Sequence, residues 1–321
     1  MRQPIRGNNV LITGGAGFIG SHLADRMIHE GANQVVLLDN LFLGSRENVK
    51  DAMGKGAVLY VDDAEFLDSV DYIIKRHQID TVFNLATKAL NYSFMNPKSA
   101  FTTNVNVVAN LLELQRNGAF STLCHFSSSE VYGTAVYEPM DENHPKNPTT
   151  TYAGGKAAAD LMVETYVRMF GLDAFIVRPF NNYGPRQNAE GPLAGIIPIT
   201  AKRILTGGQP EIHGTGKQSR DFILVTDTVD AVMKLYDVLP RGESCNIATH
   251  GQIEMGTLIE KICAGLDYTG EILHKPARGS DVFCHHASNE KLKSLIDFRP
   301  TSFDKGLAET LAWYKEIYRE A

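Results

Sequence analysis

The chain has 321 residues, 43% of them hydrophobic and 21% charged, with a formal net charge of −6. This is ordinary globular usage and enough chain for one large domain or two closely associated lobes. The acidic balance argues against a nucleic-acid surface, which needs clustered Lys and Arg, and no apolar run approaches the length of a membrane span.

In chain order, short β-rich apolar runs occur at 9–13, 34–38, 57–60, 81–85, 123–127 and 174–178. Segments of helical periodicity lie between them at 18–30, 64–76, 100–116 and 152–170. Strands alternating with helices predict an α/β fold, a doubly wound parallel sheet covered on both faces. After Arg178 the pattern loosens into Gly-, Pro- and Gln-rich excursions. The expected division is a nucleotide-binding domain of residues 1–180 with 221–250, and a smaller C-terminal lobe of 181–220 with 251–321.

The first strand runs directly into "ITGGAGFIG", residues 12–20, and then into a helix. Gly14, Gly17 and Gly20 let the chain turn sharply and let a pyrophosphate approach the helix N-terminal amides, where the dipole favours negative charge. A P-loop would continue Lys-Ser/Thr, but here Ser21-His22 follows. Asp39 closes the second strand nineteen residues after Gly20, placed for adenosine ribose hydroxyls, and its charge favours NAD over NADP. The N-terminal glycines arrive too early for a signal peptide. The four cysteines, Cys124, Cys245, Cys263 and Cys284, form no CxxC pair. They are expected to be reduced thiols in a cytoplasmic protein, with no metal site.

Two further stretches carry chemistry. In "YAGGK", Tyr152 and Lys156 share one helix face, and a nearby ammonium together with a positive nicotinamide ring favours phenolate, so Tyr152 is a candidate base for a hydroxyl proton. "FSSSEVYG", residues 126–133, follows an apolar strand at the end where open α/β sheets bind ligands. If it stays extended, Ser128 and Glu130 point the same way. Cys124 and His125, on that strand, read as packed residues.

These motifs, with "NLAT" at 84–87, "NPKSAFTTNV" at 96–105, "RPFNNYGPRQ" at 178–187 and "GTGKQSRDFILVTD" at 214–227, resemble the extended short-chain dehydrogenase/reductases of the nucleotide-sugar epimerase/dehydratase family. The resemblance implies a Rossmann fold and bound NAD, held by Gly14, Gly17, Phe18, Ile19, Gly20, Asp39, Asn40, Asp62, Asp63, Leu85, Ala86, Thr87 and Lys88 together with Tyr152 and Lys156. It implies Tyr152, Lys156, Ser128 and Glu130 as catalytic residues. Ser128, Ser129, Glu130, Asn181, Arg220 and Arg278 would contact a nucleotide-sugar, with UDP the expected carrier. The chain departs from the family at Asn84 (a usual His), at Thr87-Lys88, at Gly154-Gly155, which would loosen the catalytic helix, and at Gly195, where many relatives carry a nucleotide-binding Asn.

In this family Glu at position 130 accompanies dehydratases and UDP-glucuronate decarboxylases, whereas 4-epimerases carry a small residue there. The expected reaction is dehydration, 4,6 or 5,6, with a UDP-hexose or UDP-hexosamine 4-epimerase as the first alternative and a UDP-glucuronate decarboxylase or a non-catalytic NAD sensor behind it. An overall likeness to UDP-N-acetylglucosamine 5,6-dehydratases of tunicamycin-type antibiotic biosynthesis makes a UDP-hexosamine the expected substrate. By the same analogy, helices 100–116 and 152–170 would form a four-helix homodimer interface.

Overall fold

The computed structural model describes residues 2–276 and 284–319. Its elements are β1 (Asn9–Thr13), α1 (Phe18–His29), β2 (Gln34–Leu38), α2 (Lys50–Gly54), β3 (Val58–Tyr60), α3 (Leu67–His77), β4 (Thr81–Asn84), α4 (Pro97–Arg116), β5 (Thr122–Phe126), α5 (Thr151–Phe170) and β6 (Asp173–Pro179). The remainder comprises β7 (Asn181–Tyr183), α6 (Ile196–Leu205), β8 (Glu211–His213), β9 (Ser219–Arg220), β10 (Phe222–Leu224), α7 (Val225–Val238), β11 (Ser244–Ile247), β12 (Ile253–Glu254), α8 (Met255–Gly265), β13 (Leu273–Lys275), β14 (Cys284–His285), α9 (Glu290–Leu295) and α10 (Phe303–Arg319).

Seven strands form a parallel sheet in the order β11-β6-β5-β4-β1-β2-β3, the doubly wound α/β architecture expected. The strand order reverses between β4 and β1, and ligands bind such folds at the carboxyl ends of the strands beside that reversal. The loops that follow β1, β2, β4 and β5 carry the glycines, Asp39, Leu85–Lys88 and Ser127–Glu130. Topology therefore explains why residues far apart in sequence share one edge. Beneath them, Leu11, Val82, Leu123 and Ile176 from the strands pack on Val107, Leu111 and Val163 from the helices.

Two compact units are present. One comprises Met1–Val131, Pro148–Pro179 and Val229–Cys245; the other comprises Tyr132–Asn147, Phe180–Thr228 and Asn246–Ala321. These boundaries differ from the division expected at 180, 221 and 250. Within the second unit the Tyr132 hydroxyl donates to Asn246 Oδ1 at 2.7 Å, and the Asn246 N–H donates to Glu142 at 2.7 Å. Those bonds tie 132–147 to a stretch more than a hundred residues later, which no local pattern discloses. The second unit has its own core, in which Tyr183, Phe222 and Leu224 pack against Leu258, Ile262 and Leu311.

Element ends follow their capping residues. The Asn96 side chain accepts from the Ser99 N–H, with Pro97 in the first turn, so α4 starts three residues before the expected 100. The Thr150 hydroxyl accepts from the Ala153 N–H and starts α5. Such caps are each worth about 1 kcal/mol. Helix α3 begins at Leu67 and not at the expected 64, because Asp63 folds back to accept from the Glu65 N–H at 3.0 Å. Among the described residues no helix is long and apolar enough to cross a membrane, and no group of three His, Cys, Asp or Glu side chains could hold a metal ion.

Candidate active site

The glycine loop is built for close backbone approach. Gly14 lies at φ +68°, and a Cβ there would stand 2.8 Å from the Leu85 carbonyl carbon. A Cβ on Gly20 would stand 3.0 Å from Gly15 Cα, so α1 is drawn onto the loop. Helix α1 starts with no side-chain cap and no acid in its first turn, leaving N–H groups and a positive dipole end for an anion. The Asp39 carboxylate, 7% exposed, accepts from Ala16 N–H at 3.0 Å and Leu41 N–H at 2.8 Å. Burial pushes its pKa up, against the pull of those amides. The carboxylate that would face a ribose is thus locked to the loop that would face the pyrophosphate, and the residues fit a dinucleotide.

Around this cradle, Asn40 donates to Asp63 at 2.7 Å, while Asp62 accepts from the Asp63 N–H at 2.8 Å and from Ser69 at 2.5 Å. Both acids are therefore engaged in shaping the loop after β3. Lys88 lies over the Phe42 ring, its Nζ 4.4 Å from the centroid. Phe18 and Ile19 open α1, and Leu85 and Ala86 border the glycines, Leu85 N–H donating to Thr13 at 3.0 Å and Ala86 N–H to the Thr13 hydroxyl at 3.3 Å.

The catalytic candidates meet within the first unit. The stretch after β5 is not extended: residues Ser129–Tyr132 curl into a 3₁₀ turn, and the Glu130 N–H donates to Ser128 Oγ at 3.2 Å. Ser128 and Glu130 nevertheless converge on Tyr152. The Ser128 and Thr87 hydroxyls favour ionisation of its phenol, and the Glu130 carboxylate disfavours it. Ser129, between them, is buried.

The phenolate expected at Tyr152 depends on the nicotinamide charge as well as on Lys156, and the protein groups by themselves act as follows. Lys156, 2% exposed, donates to the Phe126 carbonyl at 2.7 Å. Burial lowers its pKa to about 8, partly offset by the Asp160 carboxylate. Burial is also the largest influence on Tyr152, and with the Glu130 charge it outweighs the two hydroxyls and raises the phenol to about 12. Tyr152 is thus a phenol at neutral pH unless a further positive charge is supplied.

Behind Lys156 runs a buried polar chain. The Thr13 hydroxyl donates to Asn84 Oδ1 at 2.6 Å, and the Asn84 amide lies 3.1 Å from His125 Nδ1. His125 Nε2 is 3.8 Å from Asp160, which takes two contacts from Arg178 at 3.0 and 2.9 Å. Burial, Lys156 and Arg178 together keep His125 neutral. Asn84, standing where relatives have His, thus anchors a second histidine one strand away. Cys124 is fully buried and its thiol is pushed up by burial, so it is packed and unreactive.

Glycine does not loosen the catalytic helix. A Cβ on Gly155 would stand 2.6 Å from the Phe101 carbonyl oxygen and 3.2 Å from Asn104 Cβ, so Gly155 is what lets α4 and α5 approach.

In the second unit, Asn181 and Arg220 line one cavity of about 200 Å³, with Glu211, His213, Gln218 and Phe222 among its other walls. Asn181 Nδ2 donates to the Asp221 carbonyl at 3.1 Å, and Asp221 in turn accepts from Thr249 and His250 N–H groups. At Gly195 a Cβ would meet Gln187 Nε2 at 2.8 Å, so the Gln187 side chain occupies the space next to that departure. Arg278 lies outside the described residues. Sequence reasoning missed Glu211 and His213, which lie on a three-residue strand with no motif, and the shell of Asn104, Asp160 and Arg178, which tertiary packing alone assembles.

Comparison with known proteins identifies the family of the chain. The family described as GDP-mannose 4,6 dehydratase matches residues 11–310. The chain is 31% identical over 318 residues to a putative UDP-glucose 4-epimerase of Methanocaldococcus jannaschii, covering 97% of this chain and 99% of that protein. The structure superposes on the UDP-glucose 4-epimerase of Thermotoga maritima, solved with UDP-glucose, with a TM-score of 0.91 and 30% identity, covering 96% and 99% of the two chains. The dTDP-glucose 4,6-dehydratase DesIV of Streptomyces venezuelae, solved with NAD, gives a TM-score of 0.90 at 26% identity, covering 96% and 97%.

Proposed function

Because this chain belongs to the extended short-chain dehydrogenase/reductase family of nucleotide-sugar enzymes, we propose that it is an NAD-dependent nucleotide-sugar dehydratase, acting on a UDP-hexosamine. NAD would sit on the Gly14–Gly20 loop, with Asp39 at the ribose and Lys156 beside the nicotinamide end. When bound, it supplies the acceptor and later the donor of two electrons at the sugar's C4, and a positive ring that favours Tyr152 phenolate.

Tyr152 takes the proton from the C4 hydroxyl, with Ser128 hydrogen-bonding the same oxygen. The C4 ketone then acidifies the neighbouring C5–H. Glu130 removes that proton, and its carboxylic acid form returns a proton to the C6 hydroxyl as it leaves as water. Returning the two electrons with their hydrogen to C6, and a proton to C5, would give a 4-keto-6-deoxy sugar; returning them to C4, with the Tyr152 proton going back to the C4 oxygen, would give a 5,6-alkene. Asn181 and Arg220 would hold the nucleotide diphosphate, the guanidinium fork suiting phosphate oxygens. The observation that supports the reading is the placement of Glu130 in the 3₁₀ turn after β5, its N–H donating to Ser128 Oγ at 3.2 Å. An epimerase, which needs only to let its ketone rotate, has no use for a base there.

The test is mass spectrometry on UDP-N-acetylglucosamine, UDP-glucose and dTDP-glucose in deuterated water. Loss of one water, abolished by Glu130→Gln, is the expected result. An isobaric, unlabelled product that Glu130→Gln leaves unchanged would establish the 4-epimerase. The reading also includes a homodimer through α4 and α5, whose Phe101, Leu161 and Met169 side chains are exposed.

A further inference from the structure

Phe42, on the loop after β2, keeps 43% of its surface exposed. The loop around it is firmly held. Leu41 lies at φ +58°. The Leu41 and Phe42 N–H groups donate to side chains two residues back, Asp39 at 2.8 Å and Asn40 at 3.0 Å. A Cβ on Gly44 would stand 2.7 Å from Asp39 Oδ1. The Ser45 N–H and the Asn48 amide both donate to the Ala16 carbonyl of the glycine loop, each at 3.0 Å. Both ends of the loop are thus pinned, and Phe42 lies between them.

The groups that Phe42 touches belong to a different loop. Its ring meets the Tyr92 ring edge to face, with centroids 5.1 Å apart, and the Lys88 ammonium lies over it at 4.4 Å. Both partners follow β4. In the sheet, β2 and β4 are the two neighbours of β1, and strands two places apart are about 10 Å from each other. The loops that follow them therefore stand on either side of the glycine loop, and the contact of Phe42 with Tyr92 and Lys88 bridges the carboxyl end of β1. The far loop is anchored as well. The buried Ser93 hydroxyl accepts from the Tyr152 N–H at 3.0 Å, at the start of α5.

A dinucleotide held by Asp39 at its adenosine end and by Lys156 at its nicotinamide end has to pass the carboxyl end of β1. We propose that Phe42, Tyr92 and Lys88 form a clasp across that passage, which opens each time NAD enters or leaves. Phe42 is the jaw on the ribose side. Tyr92 and Lys88 are the jaw on the side of the catalytic helix. Such a clasp suits a reaction that returns its two electrons to the sugar, since the cofactor then need not leave between turnovers. The inference depends on NAD as the cofactor and not on which sugar reaction follows.

The test follows cofactor exchange in the full chain loaded with NAD, with no sugar nucleotide present. A chase with excess NADH, read by its fluorescence, gives the dissociation rate of NAD. Equilibrium dialysis against labelled NAD gives Kd, and the two together give the association rate. Phe42→Ala removes one cation–π and one aromatic contact and is expected to raise the dissociation rate roughly 5- to 60-fold. A gate slows entry and exit alike, so the association rate is expected to rise too, with Kd moving by a smaller factor. Phe42→Leu serves if the alanine form does not fold, with the same expected sign. Tyr92→Leu is expected to act in the same direction by itself and to add nothing to Phe42→Ala. A dissociation rate that stays at the wild-type value overturns the proposal, because Phe42 would then be idle. So does one that rises in step with Kd while association is unchanged, because the ring would then be a plain contact of bound NAD. Effects that multiply in the double variant also overturn it, since the two rings would then act apart. Failure of the dehydratase assay leaves this measurement standing, because no sugar chemistry enters it.

Discussion

Tyr152 and His125 illustrate how burial sets charge at single residues. Tyr152→Phe keeps the ring and removes the proton acceptor, so turnover is expected to fall by about 10²–10⁴ at saturating NAD, measured by product assay beside a cofactor titration. For His125 the consequence is one of stability. Its folded pKa lies well below 6.5, so the unfolded chain binds more protons between those two values. Stability from this group is complete above about pH 6.5 and is lost as pH falls below it. Melting curves from pH 8 to 5 are expected to fall more steeply for the wild type than for His125→Gln; parallel curves would mean that His125 is charged in the fold. The candidates with motifs, Tyr152, Lys156, Ser128 and Glu130, were legible because spacing on a helix or after a strand is a local property. The protonation state of Tyr152 was not, since it depends on how deeply the phenol is buried and on Glu130. That side chain is carried by a 3₁₀ turn, whereas the sequence reading was conditional on an extended stretch.

At the scale of elements, the packing of α4 on α5 decides which glycine matters. Gly155→Ala forces its methyl against the Phe101 backbone and is expected to destabilise by about 1–3 kcal/mol, seen as a lower denaturation midpoint. Gly154→Ala places its methyl 3.5 Å from the Phe101 ring, an ordinary contact, and gains helix propensity of up to about 1 kcal/mol. The two adjacent variants should therefore change stability in opposite directions. Strand and helix positions were readable because apolar periodicity survives in one dimension. The need for Gly155 was not, because a residue fifty positions earlier supplies the wall. Cap residues such as Asn96 moved the boundaries by a few positions for the same kind of reason: a side chain bonding its own next turn competes with the hydrophobic pattern.

For the molecule as a whole, the proposed self-association would use the exposed apolar side chains of α4 and α5. Light scattering across a dilution series is expected to give twice the chain mass, and Leu161→Glu to give the single-chain mass; a wild type of single-chain mass at every concentration would remove the dimer. The doubly wound topology was the most readable feature, since six strand runs alternating with helices leave few other arrangements. The two-unit division was harder to read, because each unit is assembled from three separate stretches. Val229–Cys245 belongs to the unit that carries the glycine loop, and there the Tyr236 hydroxyl lies 3.1 Å from the Thr81 hydroxyl and donates to the Gln3 carbonyl at 2.9 Å. During translation this closing piece leaves the ribosome only after all of Phe180–Thr228 has emerged. A nascent polypeptide halted at residue 228 would already carry its nucleotide loop and its tyrosine, yet lack the edge strand and the aromatic latch that seal the sheet. Such an intermediate should be held by chaperones and degraded if stalled, and nucleotide should rescue it only once synthesis has passed residue 245.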